Sequence, residues 1–158
     1  MTDLSIPSEE NQYLADHIGL MRRSYRHWTG RDLTPVRMTD AEAARYLFTA
    51  PLALLSHDTQ PDPVFNYANR TALSLFGMSW EEMTSCPSRL SAEQDLQPER
   101  ARLLQEVTEQ GYSEGYRGVR VGRHGRRFEI EQAIVWNLRD ERGLYRGQAA
   151  CFRHWTWL

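Results

Sequence analysis

Lysine is absent from this sequence, and all 19 of its basic residues are arginine. That absence removes the phosphate-anchoring side chain of a P-loop, the amine of a pyridoxal Schiff base and any catalytic ε-amine. Cysteine is almost absent as well. Cys86 and Cys151 are far apart in the chain and make neither a disulfide framework nor a zinc site. No run of about 18 apolar residues is present to span a bilayer, and the start lacks a basic segment followed by an apolar one. A cytoplasmic protein without a membrane partner is therefore expected. The formal net charge of −2 carries no overall nucleic-acid footprint.

The chain has 158 residues, room for one domain or one domain with a helical extension. Its aromatics include five tryptophans, which argues against disorder. Charge is unevenly spread: residues 1–110 sum to −6 and residues 111–158 to +4. Arginines 120, 123, 126 and 127 cluster in the second part, but Glu129 and Glu131 dilute them and aromatic interleaving is poor. A solvated sheet edge is expected there rather than a nucleic-acid site.

Residues 8–28 read as an amphipathic helix capped by Ser8 and ended by Gly30. Leu14, Ile18, Met21, Tyr25 and Trp28 recur at spacings of four and three and form one apolar stripe. Two heptads are too short for an autonomous coiled coil. The stripe either packs on its own domain or forms the seam of a homodimer.

A capping box at Thr39 opens a second helix that ends before Pro51. Leu52 to Ser56 suits a buried strand, and Val64 to Ala68 alternates with period two, so the two predict a hairpin. Asn69 caps a short helix closed by Gly77, a capping box starts at Ser79, and Pro98 opens a helix to about Gln110. Beyond Tyr112 the pattern changes to long strands: Gly115 to Arg123, Arg126 to Leu138 and Leu144 to about Trp155. His124-Gly125 reads as a two-residue turn between the first two. Strands at both ends around helices imply an α+β fold with an antiparallel sheet covered on one face.

This order resembles a PAS domain, and within that superfamily the sequence resembles the MEKHLA family. The strings that carry the resemblance are Leu55-Ser56-His57-Asp58, Pro63 to Asn69, Pro87 to Glu93, Gly115 to Arg120 and Val135-Trp136-Asn137-Leu138. It runs from about Leu14 to Phe152. The resemblance implies an N-terminal helical extension over 1–50 and a PAS-like domain over 51–158. The family also ends plant class III homeodomain–leucine zipper proteins, but no homeodomain or zipper precedes it here. A stand-alone sensor or interaction protein of bacterial type is implied instead.

Such folds host flavin, haem, small molecules or nothing, and fold alone decides none of these. Flavin photosensors flank a reactive Cys with Asn and Arg, whereas Cys86 lies between Ser85 and Pro87. The flavin-bonding Asn and Gln of the later strands align with Ile130 and Phe152. Haem relatives place a His on the long helix, and residues 98–110 contain none. The histidines have no paired metal spacing. His57 reads as a strand-end polar residue and His124 as a turn residue. No Gly-x-Ser-x-Gly or identifiable triad is present. No enzyme activity, metal or cofactor is expected.

A two-residue turn at 124–125 would pair Val121 with Phe128, Val119 with Ile130 and Arg117 with Gln132 on one face, and Arg120 with Glu129 on the other. Continued alternation adds Ile134 and Trp136 to the first face, joined by Tyr145, Gly147, Ala149 and Cys151. The small residues leave space, and two polar groups on an apolar face need partners. An interior site for a small molecule follows, anchored by Arg117 with Gln132, Trp136, Cys151, Phe65 and Tyr67; the alternative is that Trp136 fills the gap and Arg117 pairs with an internal acid or reaches solvent. The rival function is a ligand-free dimerisation or interaction module using the N-terminal stripe and an outer sheet face of Gln148, Ala150, Phe152 and the Trp155 and Trp157 tail.

Overall fold

The computed structural model describes residues 5–92 and 97–158. The chain enters through a 3-10 turn, Glu9–Leu14, and then forms α1, Ala15–Thr29. Ser8 caps that turn and not the long helix: its side chain closes a capping box with Asn11, and Gln12, Tyr13 and Leu14 take positive φ before α1 begins. Helix α2, Asp40–Thr49, starts at the predicted box, where Thr39 Oγ1 accepts from the Glu42 amide at 3.2 Å and Glu42 Oε1 accepts from the Thr39 amide at 3.0 Å.

Strands β1, Ala53–His57, and β2, Phe65–Ala68, form the predicted hairpin. Asn69 follows as the cap of α3, Arg70–Phe76. Its Oδ1 accepts from the Ala72 and Leu54 amides while its Nδ2 donates to the Leu47 and Leu52 carbonyls. One fully buried amide thus satisfies backbone groups of α2, α3 and β1 together. Helix α4, Trp80–Met83, is capped by Ser79, and a 3-10 turn, Ser88–Ser91, precedes α5, Gln97–Gln110.

Strands β3, Tyr112–Val121, β4, Arg127–Arg139, and β5, Tyr145–Phe152, complete the meander; β6, His154–Trp157, continues β5 along β4 after a break at Arg153. The sheet is antiparallel, in the order β2-β1-β5-β4-β3. No helix among the described residues is long and apolar enough to cross a membrane.

Both faces of the sheet are covered, not one. On one face α1 and α2 bury Leu52, Leu54, Trp136, Leu138 and Ala149. Trp136 is fully buried, its ring 5.0 Å from Tyr25, and its indole N–H donates to the Met21 carbonyl at 3.1 Å. Trp28 lies over Gly111, where any Cβ would fall 2.3 Å from the indole, and donates to the Asn137 carbonyl at 3.0 Å. On the other face α3 and α5 cover Leu55, Phe65, Phe128, Ile130, Val135 and Phe152.

Candidate functional site

Three local breaks in strand alternation decide which side chains share a face. The β3–β4 connection is a three-residue 3-10 turn, Arg123–Gly125, with His124 and Gly125 both left-handed, not a two-residue loop. The register becomes Gly118 with Ile130, Val119 with Glu129 and Arg120 with Phe128. Gln132 takes φ +54°, so Phe128 and Ile130 share a face with Ala133 and Val135, while Ile134 and Trp136 turn to the other. A bulge opposite Ser56 and His57 sends Phe65 and Tyr67 to opposite faces.

The predicted anchor therefore changes place. Arg117 points outward, 65% exposed, and pairs with Glu129 at 2.7 Å and Glu131 at 3.5 Å. Gln132 is exposed. Trp136, Cys151 and Tyr67 pack in the α1 cluster and line no interior space opposite α5. Of the predicted ligand residues only Phe65 meets the cavity described below. The stripe residues Leu14, Ile18, Met21 and Tyr25 are buried inside their own chain and Trp28 packs there as well, so none offers the predicted dimer seam. Phe152, expected on an outer face, is buried on the cavity wall.

That cavity lies between the sheet, α5 and the Ser88–Ser91 turn, with a volume of about 70 Å³. Phe65, Phe76, Leu103, Ile130 and Phe152 make its apolar walls. Its polar lining includes His57 and Ser56 on β1, Gln148 on β5, Ser88 and Ser91, Arg100 on α5, and Tyr116 and Arg120 on β3. Arg120, assigned by sequence to an exposed pair with Glu129, has exchanged roles with Arg117.

Hydrogen bonds fix the polarity of this lining. Asn137 Nδ2 donates to the Val107 carbonyl at 2.8 Å, which leaves Asn137 Oδ1 as the acceptor for Gln148 Nε2 at 3.0 Å. Gln148 Oε1 is thus an acceptor, and it is buried without a partner. His57 Nδ1 lies 2.9 Å from the Asp58 carbonyl and must carry a proton to bond it. Burial, helped by the charge of Arg100, pushes the His57 pKa below its ordinary value, against the hydrogen bond to the Asp58 carbonyl and the Gln148 side chain, which act to raise it. The ring is then neutral, and Nε2 is a second buried acceptor without a partner. Arg100 Nη2 donates to Ser88 Oγ at 2.8 Å, and burial together with the Arg120 charge brings its pKa down to about 10.

Sequence reasoning noticed His57 but gave it no site, put Gln148 on an outer face where the structure buries it on the cavity wall, and missed Arg100 and Asn137. The available signal was polarity at strand positions bounded by apolar residues, as in Trp136-Asn137-Leu138. A flavin does not fit these residues. The cavity is well below the roughly 300 Å³ at which ordinary ligand pockets begin. Ile130 and Phe152 make its wall apolar, Cys86 lies off the wall, and burial pushes the Cys86 thiol pKa up where a reactive thiol needs it down. No group of three or more potential metal ligands occurs among the described residues.

Known structures share this architecture. The chain is similar to a PAS domain from Colwellia psychrerythraea, at 16% identity and a TM-score of 0.61, over 74% of this chain and 94% of that one. It is similar to the LOV domain of the blue-light photoreceptor Aureochrome1 in its dark structure, at 18% identity, a TM-score of 0.56 and coverages of 81% and 88%. The light-state dimer of the fungal blue-light photoreceptor Vivid gives 19% identity, a TM-score of 0.58 and coverages of 84% and 88%. No curated protein matches. The MEKHLA domain matches residues 15–157, from the first turn of α1 to the last strand. The chain belongs to the MEKHLA domain family, and its fold is that of PAS and LOV domains.

Proposed function

We propose that this chain is a sensory or regulatory module that holds a small molecule in the cavity between the sheet and α5. One observation carries the reading: His57 Nε2 and Gln148 Oε1, both buried acceptors without partners, line that cavity. A buried acceptor without a partner costs about 1–3 kcal/mol, which a bound donor recovers. The reading is of binding and not catalysis. Ser88 Oγ accepts from Arg100, Ser91 Oγ donates to the Ser88 carbonyl, and Ser56 Oγ, beside His17, donates its proton to Asn66 Oδ1, so none of these hydroxyls hands its proton to a histidine base.

Strand β5 offers a route for the signal. Gln148, Ala149, Ala150 and Phe152 line the cavity, while Ala149 and Cys151 also pack in the α1 cluster. Asn137 joins both sides, through its side chain to Gln148 and α5 and through its carbonyl to Trp28 of α1. Native mass spectrometry of protein purified from its own host tests the reading. A retained low-mass adduct is expected, absent from a folded Ala150→Phe variant whose cavity is filled. A bare mass for the wild-type protein would contradict it.

A further inference from the structure

The lining shows what kind of molecule the cavity would take, an inference that rests on the reading above. His57 and Gln148 belong to β1 and β5 and are Cα partners in the sheet. Their free atoms are both acceptors, one fixed by the Asp58 carbonyl and the other by the Asn137–Val107 relay. Two lone pairs cannot satisfy each other, so the pair calls for a donor from outside the protein. A cationic donor is disfavoured, because Arg100 and Arg120 line the same cavity. The two guanidiniums call instead for an oxyanion on the same molecule. The space admits about five water-sized groups, which limits the molecule to a short chain.

We infer that the cavity takes a short-chain hydroxy carboxylate, its single hydroxyl proton shared between the His57 Nε2 and Gln148 Oε1 acceptors and its carboxylate facing Arg100. Lactate and propionate are suitable probes, since they differ only in that hydroxyl. In a chemical-shift titration of isotope-labelled protein, lactate should bind about tenfold more tightly than propionate, the difference one good hydrogen bond to a buried group makes. Gln148→Met keeps the side-chain length and removes one of the two acceptors. It should narrow the preference for lactate, since only His57 Nε2 then accepts from the hydroxyl, and leave propionate unchanged.

The His57 titration, followed by ring-proton resonances in the wild-type protein, provides a check that needs no variant. A pKa below 6.5 is expected. A value at or above 6.5 would overturn the inference, because an imidazolium would itself donate toward Gln148. Equal affinities for the two acids, or binding of neither while xenon still shifts the resonances of Ile130 and Phe152, would overturn the hydroxy-carboxylate assignment and leave the cavity reading intact. If neither acid nor xenon enters, both fall.

Discussion

The two faces of the central sheet are built on different rules. Against α1 the face is filled by large side chains: Trp136 is fully buried and bonded to Met21, and Ser24 Oγ exchanges hydrogen bonds with the Arg139 backbone, although Tyr67 Oη and Arg22 Nε are buried there without partners. Against α5 the face keeps about 70 Å³ of space and two orphaned acceptors. Interiors normally close-pack and satisfy their polar groups. On the α5 face the orphaned acceptors line open space, whereas those on the α1 face do not border that cavity, and the coincidence marks a site more than a packing fault. Strand β5 belongs to both faces, so substitutions at neighbouring positions can separate the two kinds of environment.

Removing the centre of the filled face should have the largest effect. Trp136→Ala should cost about 3–5 kcal/mol, because it deletes a buried indole, its contact with Tyr25 and its bond to the Met21 carbonyl. Urea unfolding monitored by circular dichroism measures it. A cost below about 1 kcal/mol would mean that α1 is not part of the folded unit.

Protonation should come next, again with more effect on the α1 face. His17 of α1 lies 2.8 Å from Ser56 Oγ, and Ser56 donates its own proton to Asn66 Oδ1 at 2.6 Å. The imidazole must therefore donate to Ser56. Burial pushes its pKa down to about 4 from 6.5. A histidine kept neutral by folding takes up its proton on unfolding, so stability is complete above pH 6.5 and is lost as pH falls toward 4. The steepest loss is about 1.4 kcal/mol per pH unit. His57 acts in the same direction. Unfolding midpoints measured across this range should show the loss, and His17→Gln, which keeps a donor for Ser56, should flatten it. An unchanged slope in that variant would place the proton uptake elsewhere.

Adjacent alanines on β5 give the most direct comparison. Both border the cavity, but Ala149 opposes Trp136 and is buried in the filled cluster, whereas Ala150 opposes Val135 and packs only on the α5 side. Ala149→Val should destabilise by about 1–3 kcal/mol through overpacking. Ala150→Val should be neutral or stabilise by about 0.5–2 kcal/mol by filling space. Equal costs in thermal unfolding would mean that the two faces are packed alike.

The elements themselves were legible in the sequence because each carried local chemistry. Thr39 and Ser79 began helices through capping boxes, Asn69 and Gly77 bounded α3, and the three long C-terminal strands followed in order. The faces were not legible, because a slip of one residue turns every later side chain over. His124 at φ +63° lengthens the hairpin turn by one residue, and Gln132 at φ +54° resets alternation in mid-strand. Non-glycine residues adopt such angles in only a few per cent of cases, and nothing in the identity of Gln132 announces it. The two slips moved the cavity from Arg117 and Trp136 to Arg120 and Val135. The stripe on α1 was readable as apolar, but not its partner, because a sheet covered on both faces has two surfaces that could receive it.

The smallest expected effect tests that exchange of arginines. Arg117 sits on the open side of β3, and its ion pairs with Glu129 and Glu131 are exposed and screened. Arg117→Gln should leave the unfolding midpoint and the lactate titration unchanged within error. Arg120→Gln removes a guanidinium from the cavity wall and should weaken lactate several-fold, more at low salt than at high salt. The two residues are three positions apart on one strand and differ in the face they occupy, so the pair isolates register from charge. A response at Arg117 with none at Arg120 would restore the two-residue turn, and with it a cavity on the opposite side of the sheet.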